Sequence, residues 1–134
     1  MTIVLIATDS DHLFQDVDAV LAREDTSVLR VRAGADVLPV CQVKTPDLAL
    51  LDLQIGNMGG MATCLGLKHE QEAERLHSFP VGLLLDREVD AFIAGEAKAD
   101  GWLVKPLDPL RLRRLATTLM NGEQLFEPEP TSAG

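Results

Sequence analysis

Three residues in this chain of 134 stand where chemistry is done. Asp9, Asp52 and Lys105 each sit at or just past the end of a short apolar run. Two carboxylates and an ammonium brought to one place can hold a hard divalent cation through oxygen. The ammonium can also neutralise a phosphoryl group as a compact point charge. One carboxylate can then attack phosphorus while cation and lysine balance charge on the equatorial oxygens. The same three residues can instead close a sheet rim as an ordinary ion-pair cluster, and both readings stand on the residues alone.

The elements that must position them follow from pattern. Leu48 to Leu51 is an unbroken apolar run after the turn signal Thr45-Pro46-Asp47, as suits a strand buried on both faces, and it leads into Asp52 and a Gly-rich loop (Gly56, Gly59, Gly60). Ile3 to Ala7 and Pro80 to Leu85 read the same way, ending at Thr8-Asp9 and at Asp86, and Trp102-Leu103-Val104 ends at Lys105. Ser27 to Ala33 alternates apolar and charged residues, which predicts a half-buried strand near a sheet edge. Between these lie helical patterns. Leu13, Phe14, Val17, Val20 and Leu21 form one stripe, capped by Ser10 or Asp11. A short helix is expected over residues 35–44, with Pro39 in its first turn. Another runs from Met61 through the polar stretch to His77, and a fourth has the stripe Val89, Phe92, Ile93, Ala97. The last starts at Asp108-Pro109, packs Leu112, Leu115, Ala116 and Leu119, and stops at Asn121-Gly122. Strand and helix alternate five times, which demands parallel strands, right-handed crossovers and helices on both faces. Residues 1–122 read as one domain, and Glu123 to Gly134, with its Pro-Glu-Pro run, as a flexible tail.

The formal net charge of −9 argues against direct nucleic-acid binding, which needs a basic face. The Arg111, Arg113, Arg114 group reads as a solvated face, and His12, His69 and His77 have no metal-ligand spacing. Cys41 and Cys64 read as reduced, buried thiols of a cytoplasmic protein. The N-terminal apolar run is too short for a signal peptide or a membrane span.

Four stretches carry a family resemblance: Val4-Leu5-Ile6 before Asp9; Pro46 to Leu53 with Gly60 beyond; Pro80-Val81; and Ala99-Asp100-Gly101-Trp102-Leu103-Val104-Lys105-Pro106-Leu107. With them the chain resembles the receiver domains of bacterial two-component response regulators over residues 3–121. The resemblance implies a flavodoxin-like α/β fold: a five-stranded parallel sheet in order 2-1-3-4-5 with five helices on both faces. It places the phosphoacceptor at Asp52, fed by a sensor histidine kinase. It puts metal ligands for Mg2+ at Asp9, Asp52 and the backbone carbonyl of Gln54, and the phosphate-binding lysine at Lys105. Trp102 falls on the switch aromatic. A stand-alone receiver of this kind is not an enzyme. It binds a downstream protein through its fourth helix, fifth strand and fifth helix, where Glu88, Asp90, Glu96, Lys98, Trp102, Arg111 and Arg114 would lie, and the same face allows a homodimer.

The departures from the family pattern are specific. Thr8 stands where a second acid is usual, which weakens the Mg2+ site to a hydroxyl ligand. Leu85 stands at the usual Thr/Ser switch position and cannot donate a hydrogen bond. Asp86 brings a carboxylate where a small residue is usual, so Lys105 can pair with Asp86 in place of a phosphate. Ile55-Gly56 and Gly59 replace commoner loop residues, and a looser loop is expected. The alternative function is therefore a degenerate receiver acting as a phosphorylation-independent interaction or dimerisation module. A phosphatase of the haloacid dehalogenase type, read from Asp9-Ser10-Asp11, leaves Asp52 unexplained. A flavin site is disfavoured by the two carboxylates in that same loop.

Overall fold

The computed structural model describes residues 1–129. Six strands and five helices alternate: β1 (Thr2–Ala7), α1 (Asp11–Leu21), β2 (Thr26–Val31), α2 (Val37–Val43), β3 (Leu48–Asp52), α3 (Gly60–Glu72), β4 (Val81–Leu85), α4 (Asp90–Glu96), β5 (Gly101–Val104), α5 (Pro109–Met120) and β6 (Leu125–Glu127). A single 3-10 turn, Gly34–Asp36, leads into α2. Among the described residues the six strands pair in parallel throughout, in the order β2-β1-β3-β4-β5-β6. The doubly wound α/β fold is as expected, but among the described residues the sheet has six strands where five were expected.

Strand alternation divides the core into two layers. Val4, Ile6, Leu48, Leu50, Leu84 and Leu103 point to one face, under α1 (Leu13, Val17, Leu21) and α5 (Leu112, Leu115, Leu119). Leu5, Ala7, Ala49, Leu51, Leu83, Leu85 and Trp102 point to the other, under α2 (Val37, Cys41), α3 (Cys64, Leu67) and α4 (Ala91, Ala94). Because both faces are covered, the central strands are apolar without alternation. The helix starts behave as their residues dictate. Ser10 caps α1 by accepting from the Leu13 N–H, and Asp108 caps α5 by accepting from Leu110, with Pro109 in the first turn.

Three expectations are corrected. The helix after Gly60 stops at Glu72, short of His77. Glu74 takes a left-handed φ of 59°, and Leu76 and Phe79 then drop into the core, which a straight helix would not allow. Of the stripe expected to bury α4, only Ala97 packs inward, beside Ala91 and Ala94, while Val89, Phe92 and Ile93 are exposed. Small side chains win that face because α4 lies close over the sheet beside Trp102, whose ring comes within reach of a Cβ placed at Gly95. Finally, the expected tail is structured in its first part. Leu125–Glu127 joins the sheet beside β5, with Phe126 4.4 Å from Trp102 between ring centroids. Two apolar residues between Gln124 and Glu127-Pro128 gave no strand pattern of their own. Residues 130–134 of the expected tail lie outside the described residues.

Candidate functional site

Parallel strands that start in register end at one rim. Hydrogen bonds beyond the strand ends carry the ladder one step further: Thr8 N–H to the Val31 carbonyl, Leu53 N–H to Leu84, and Lys105 N–H to Leu85. Thr8, Asp52, Asp86 and Lys105 are thereby set side by side at the carboxyl ends of β1, β3, β4 and β5. Such rims are where open α/β sheets bind ligands.

Asp52 is the centre of the cluster. The residue is 2% exposed, and its carboxylate accepts three hydrogen bonds. Oδ1 takes one from Lys105 Nζ at 2.6 Å and one from the Gln54 N–H at 3.1 Å, and Oδ2 takes one from the Thr8 hydroxyl at 2.7 Å. Thr8 Oγ1 in turn accepts from the Ser10 N–H at 3.0 Å. Lys105 Nζ also donates to Asp86 Oδ1 at 3.0 Å, so one ammonium bridges two carboxylates. The second oxygen of Asp86 is buried and has no hydrogen-bond partner among the described residues. Burial is the largest single influence on Lys105 and by itself pushes its ammonium down. The hydrogen bonds and charges of Asp52 and Asp86 outweigh it and hold Lys105 above the ordinary lysine value.

Asp9 stands at the margin of this cluster. Its side chain is exposed, and Oδ2 accepts from the Gly56 N–H at 3.2 Å. That contact ties the first loop to the loop after β3. The β3–α3 loop, expected to be loose, is held from several sides. Gly34 N–H donates to the Gly56 carbonyl at 3.1 Å, Ala35 N–H to Asn57 at 2.8 Å, and Thr63 Oγ1 to Met58 at 3.1 Å. Two glycines make this possible. A Cβ at Gly34 would stand 1.6 Å from the Met58 carbonyl oxygen, and one at Gly60 would stand 2.6 Å from that of Asp52.

Leu85 is fully buried at the end of β4 and offers the rim no donor. Trp102, expected on an accessible switch face, is 1% exposed, and its indole N–H donates to the Pro128 carbonyl at 2.7 Å. Asp90, placed on that same face, is 4% exposed and accepts from the Arg87 N–H at 3.0 Å. The direction of the Thr8 hydroxyl had no signal in the sequence. The contact of Asp86 with Lys105 had one: each directly follows a strand of a parallel pair whose last residues, Leu85 and Val104, lie in register.

The donors near the rim are the carboxylates of Asp9 and Asp52, the hydroxyl of Thr8 and the backbone of the Gln54 loop. That set fits a magnesium-type cation that keeps most of its water. Among the described residues no group of three or more His, Cys, Asp or Glu is arranged to hold a metal ion, so the protein does not complete a shell by itself. A cleft opens beside Asp52 and Lys105, walled by the α1 cap Ser10, by Leu13 of its first turn, and by Pro106 and Leu107. Among the described residues no helix is long and apolar enough to cross a membrane.

A family model described as the response regulator receiver domain matches residues 4–117. The chain is 22% identical over 127 residues to the alkaline phosphatase synthesis transcriptional regulatory protein PhoP of Bacillus subtilis, covering 93% of this chain and 51% of that one. It is 28% identical over 109 residues to the transcriptional regulatory protein CseB of Streptomyces avermitilis, covering 80% and 44%. It thus spans about half the length of these relatives. Among solved structures, the signal receiver domain of a signal transduction histidine kinase from Syntrophus aciditrophicus superposes with a TM-score of 0.80 at 24% identity, covering 100% of this chain and 97% of that one. The beryllofluoride-activated N-terminal receiver domain of RstA from Klebsiella pneumoniae superposes with a TM-score of 0.77 at 22% identity, covering 89% and 98%. At these identities the structures speak for the fold.

Proposed function

The chain belongs to the response regulator receiver domain family, and from that footing we propose that Asp52 accepts a phosphoryl group from a sensor histidine kinase. The observation that carries this reading is the Asp52 carboxylate itself, buried at the rim with Lys105 Nζ 2.6 Å away. An Asp52 oxygen forms a P–O bond as the P–N bond of the donor's phosphohistidine breaks, and the leaving imidazole takes a proton from solvent. Lys105 turns its ammonium to the transferred oxygens, and the cleft along Leu13, Pro106 and Leu107 receives the donor's apolar surface. Asp9, Asp52, the Gln54 carbonyl and the Thr8 hydroxyl are the groups that would hold Mg2+. When bound, that ion supplies positive charge beside the phosphoryl oxygens. The protein acts in the cytoplasm as a signalling module without an enzymatic output of its own. It passes its state to a downstream protein, or to a second copy, through α4, β5 and α5.

A second reading is favoured by one contact. Asp86 already gives Lys105 the anionic partner that a phosphoryl group would be, Leu85 offers no hydroxyl, and the rim is neutralised from within. On this reading the domain is an interaction module whose partner binding is independent of phosphorylation. Intact mass after incubation with acetyl phosphate and Mg2+, with Asp52→Asn beside it, separates the two. A phosphoryl adduct on the wild type alone supports the acceptor reading. Absence of an adduct, also with histidine kinases as donors, supports the interaction module.

A further inference from the structure

β6 comes after the five strand–helix units, and it covers a face. It lies along β5 through the pairs Gly101 with Leu125, Trp102 with Phe126 and Leu103 with Glu127. β5 is shaped to receive it: a Cβ at Gly101 would stand 2.5 Å from the Leu125 carbonyl oxygen. Phe126 leans on the Trp102 ring at an interplanar angle of 49°, and the Pro128 carbonyl takes the indole N–H. Across the edge, Arg111 of α5 reaches Glu127 at 3.6 Å. The cover nevertheless has little holding it. It has three residues, all only half-buried, and hangs from α5 by the exposed link 121–124, where Gly122 adopts a φ of 83° with nothing within 4 Å of a Cβ there. Segments with few buried contacts and an exposed link open at low local free energy. An uncovered strand edge is a template for pairing with another chain.

We propose that Leu125–Pro128 is a releasable strap: closed, it fills the β5 edge and shuts Trp102 in; lifted, it presents that edge and the indole together while the rest of the domain stays folded. The occupant that the open edge takes is an extended segment of another protein adding parallel to β5, as the strap itself does, with an aromatic side chain over Trp102. The strap is therefore an autoinhibitory contact. The inference does not depend on Asp52 accepting a phosphoryl group.

The test begins with hydrogen exchange on the full chain. Amides of residues 125–127 are expected to exchange on the order of a hundredfold faster than those of Leu48–Asp52, by local opening. Exchange of both segments at one rate would make β6 an integral strand and overturn the proposal. Phe126→Ala in the full chain is the second arm. Trp102 is the only tryptophan, and the chain has no tyrosine, so its emission reports the strap directly. Emission should shift to the red and acrylamide quenching should rise, with a cooperative melt retained; unchanged emission, or loss of the cooperative melt, would count against a separable strap. A synthetic peptide of residues 123–129 should bind the Phe126→Ala chain, restoring the buried emission, and leave the wild type unaffected. A peptide that binds neither chain would show that the edge does not accept a strand in trans.

Discussion

Replacing Asp86 by Asn keeps the side chain's shape and removes one charge from the rim. Lys105 Nζ lies 2.6 Å from Asp52 and 3.0 Å from Asp86, so the two carboxylates are separated only by the ammonium between them. A phosphoryl group on Asp52 carries its oxygens toward Asp86. Like unit charges about 4 Å apart oppose each other by about 4 kcal/mol at an effective dielectric of 20, and by about 1 kcal/mol in bulk water. The Asp86 side chain is 32% exposed and that of Lys105 22%, which places the site between those limits. About 2 kcal/mol is then the working value, roughly thirtyfold in rate. The substitution also removes a partly exposed ion pair worth about 1 kcal/mol, which lowers the melting temperature by about 3–5 °C. The assay is a time course of intact mass with acetyl phosphate and Mg2+ on the wild type, Asp86→Asn and Asp52→Asn. Asp86→Asn should gain the adduct faster than the wild type although it is less stable, and Asp52→Asn should gain none. Equal rates for the wild type and Asp86→Asn would refute the electrostatic argument, and an adduct on Asp52→Asn would refute the assignment of the acceptor.

Thr8→Asp supplies the acid that the rim lacks, at a fully buried position beside Asp52; calorimetric titration should show Mg2+ binding tighter on the order of tenfold, and an unchanged affinity would count against this donor set. Gly34→Ala forces a methyl group onto the Met58 carbonyl, and urea titration should show a loss of about 1–3 kcal/mol or more with an unchanged slope. Burial pushes the Cys41 thiol up to about 11 and Cys64 up to about 12 from an ordinary 9.0, so neither should react with a disulfide reagent at neutral pH until the chain is unfolded. Groups whose pKa is raised in the folded state stabilise it fully below the unfolded value. The contribution of the two thiols should hold below pH 9 and fall away as pH rises toward 11 and 12. Lys105, also raised, loses its contribution as pH rises from the ordinary lysine value through its elevated one. Chemical denaturation taken upward from neutral pH reads this directly, and a flat curve would refute it.

The positions of Asp9, Asp52 and Lys105 were legible in the sequence because each marks a local event, the end of an apolar run at a turn. Strand type and helix caps were legible for the same reason: period and capping chemistry act over a few residues. The layering followed, since short crossovers between parallel strands leave few topologies. What needed the tertiary structure were choices between partners far apart in the chain. The α4 stripe of Val89, Phe92 and Ile93 has a helical period, yet the sheet beside Trp102 admits only alanines, so the larger side chains turn outward. β6 exists because Gly101 lets Leu125 approach and Trp102 offers its ring and N–H to Phe126 and Pro128, none of which residues 125–127 reveal alone. At the rim, sequence supplied the carboxylates and the ammonium. Only the packing of β3, β4 and β5 in register decided that one lysine would bridge two aspartates, and that the Thr8 hydroxyl would turn to Asp52. Hydrogen bonds between residues 19 to 53 positions apart are settled by where the strands end, which no local pattern encodes.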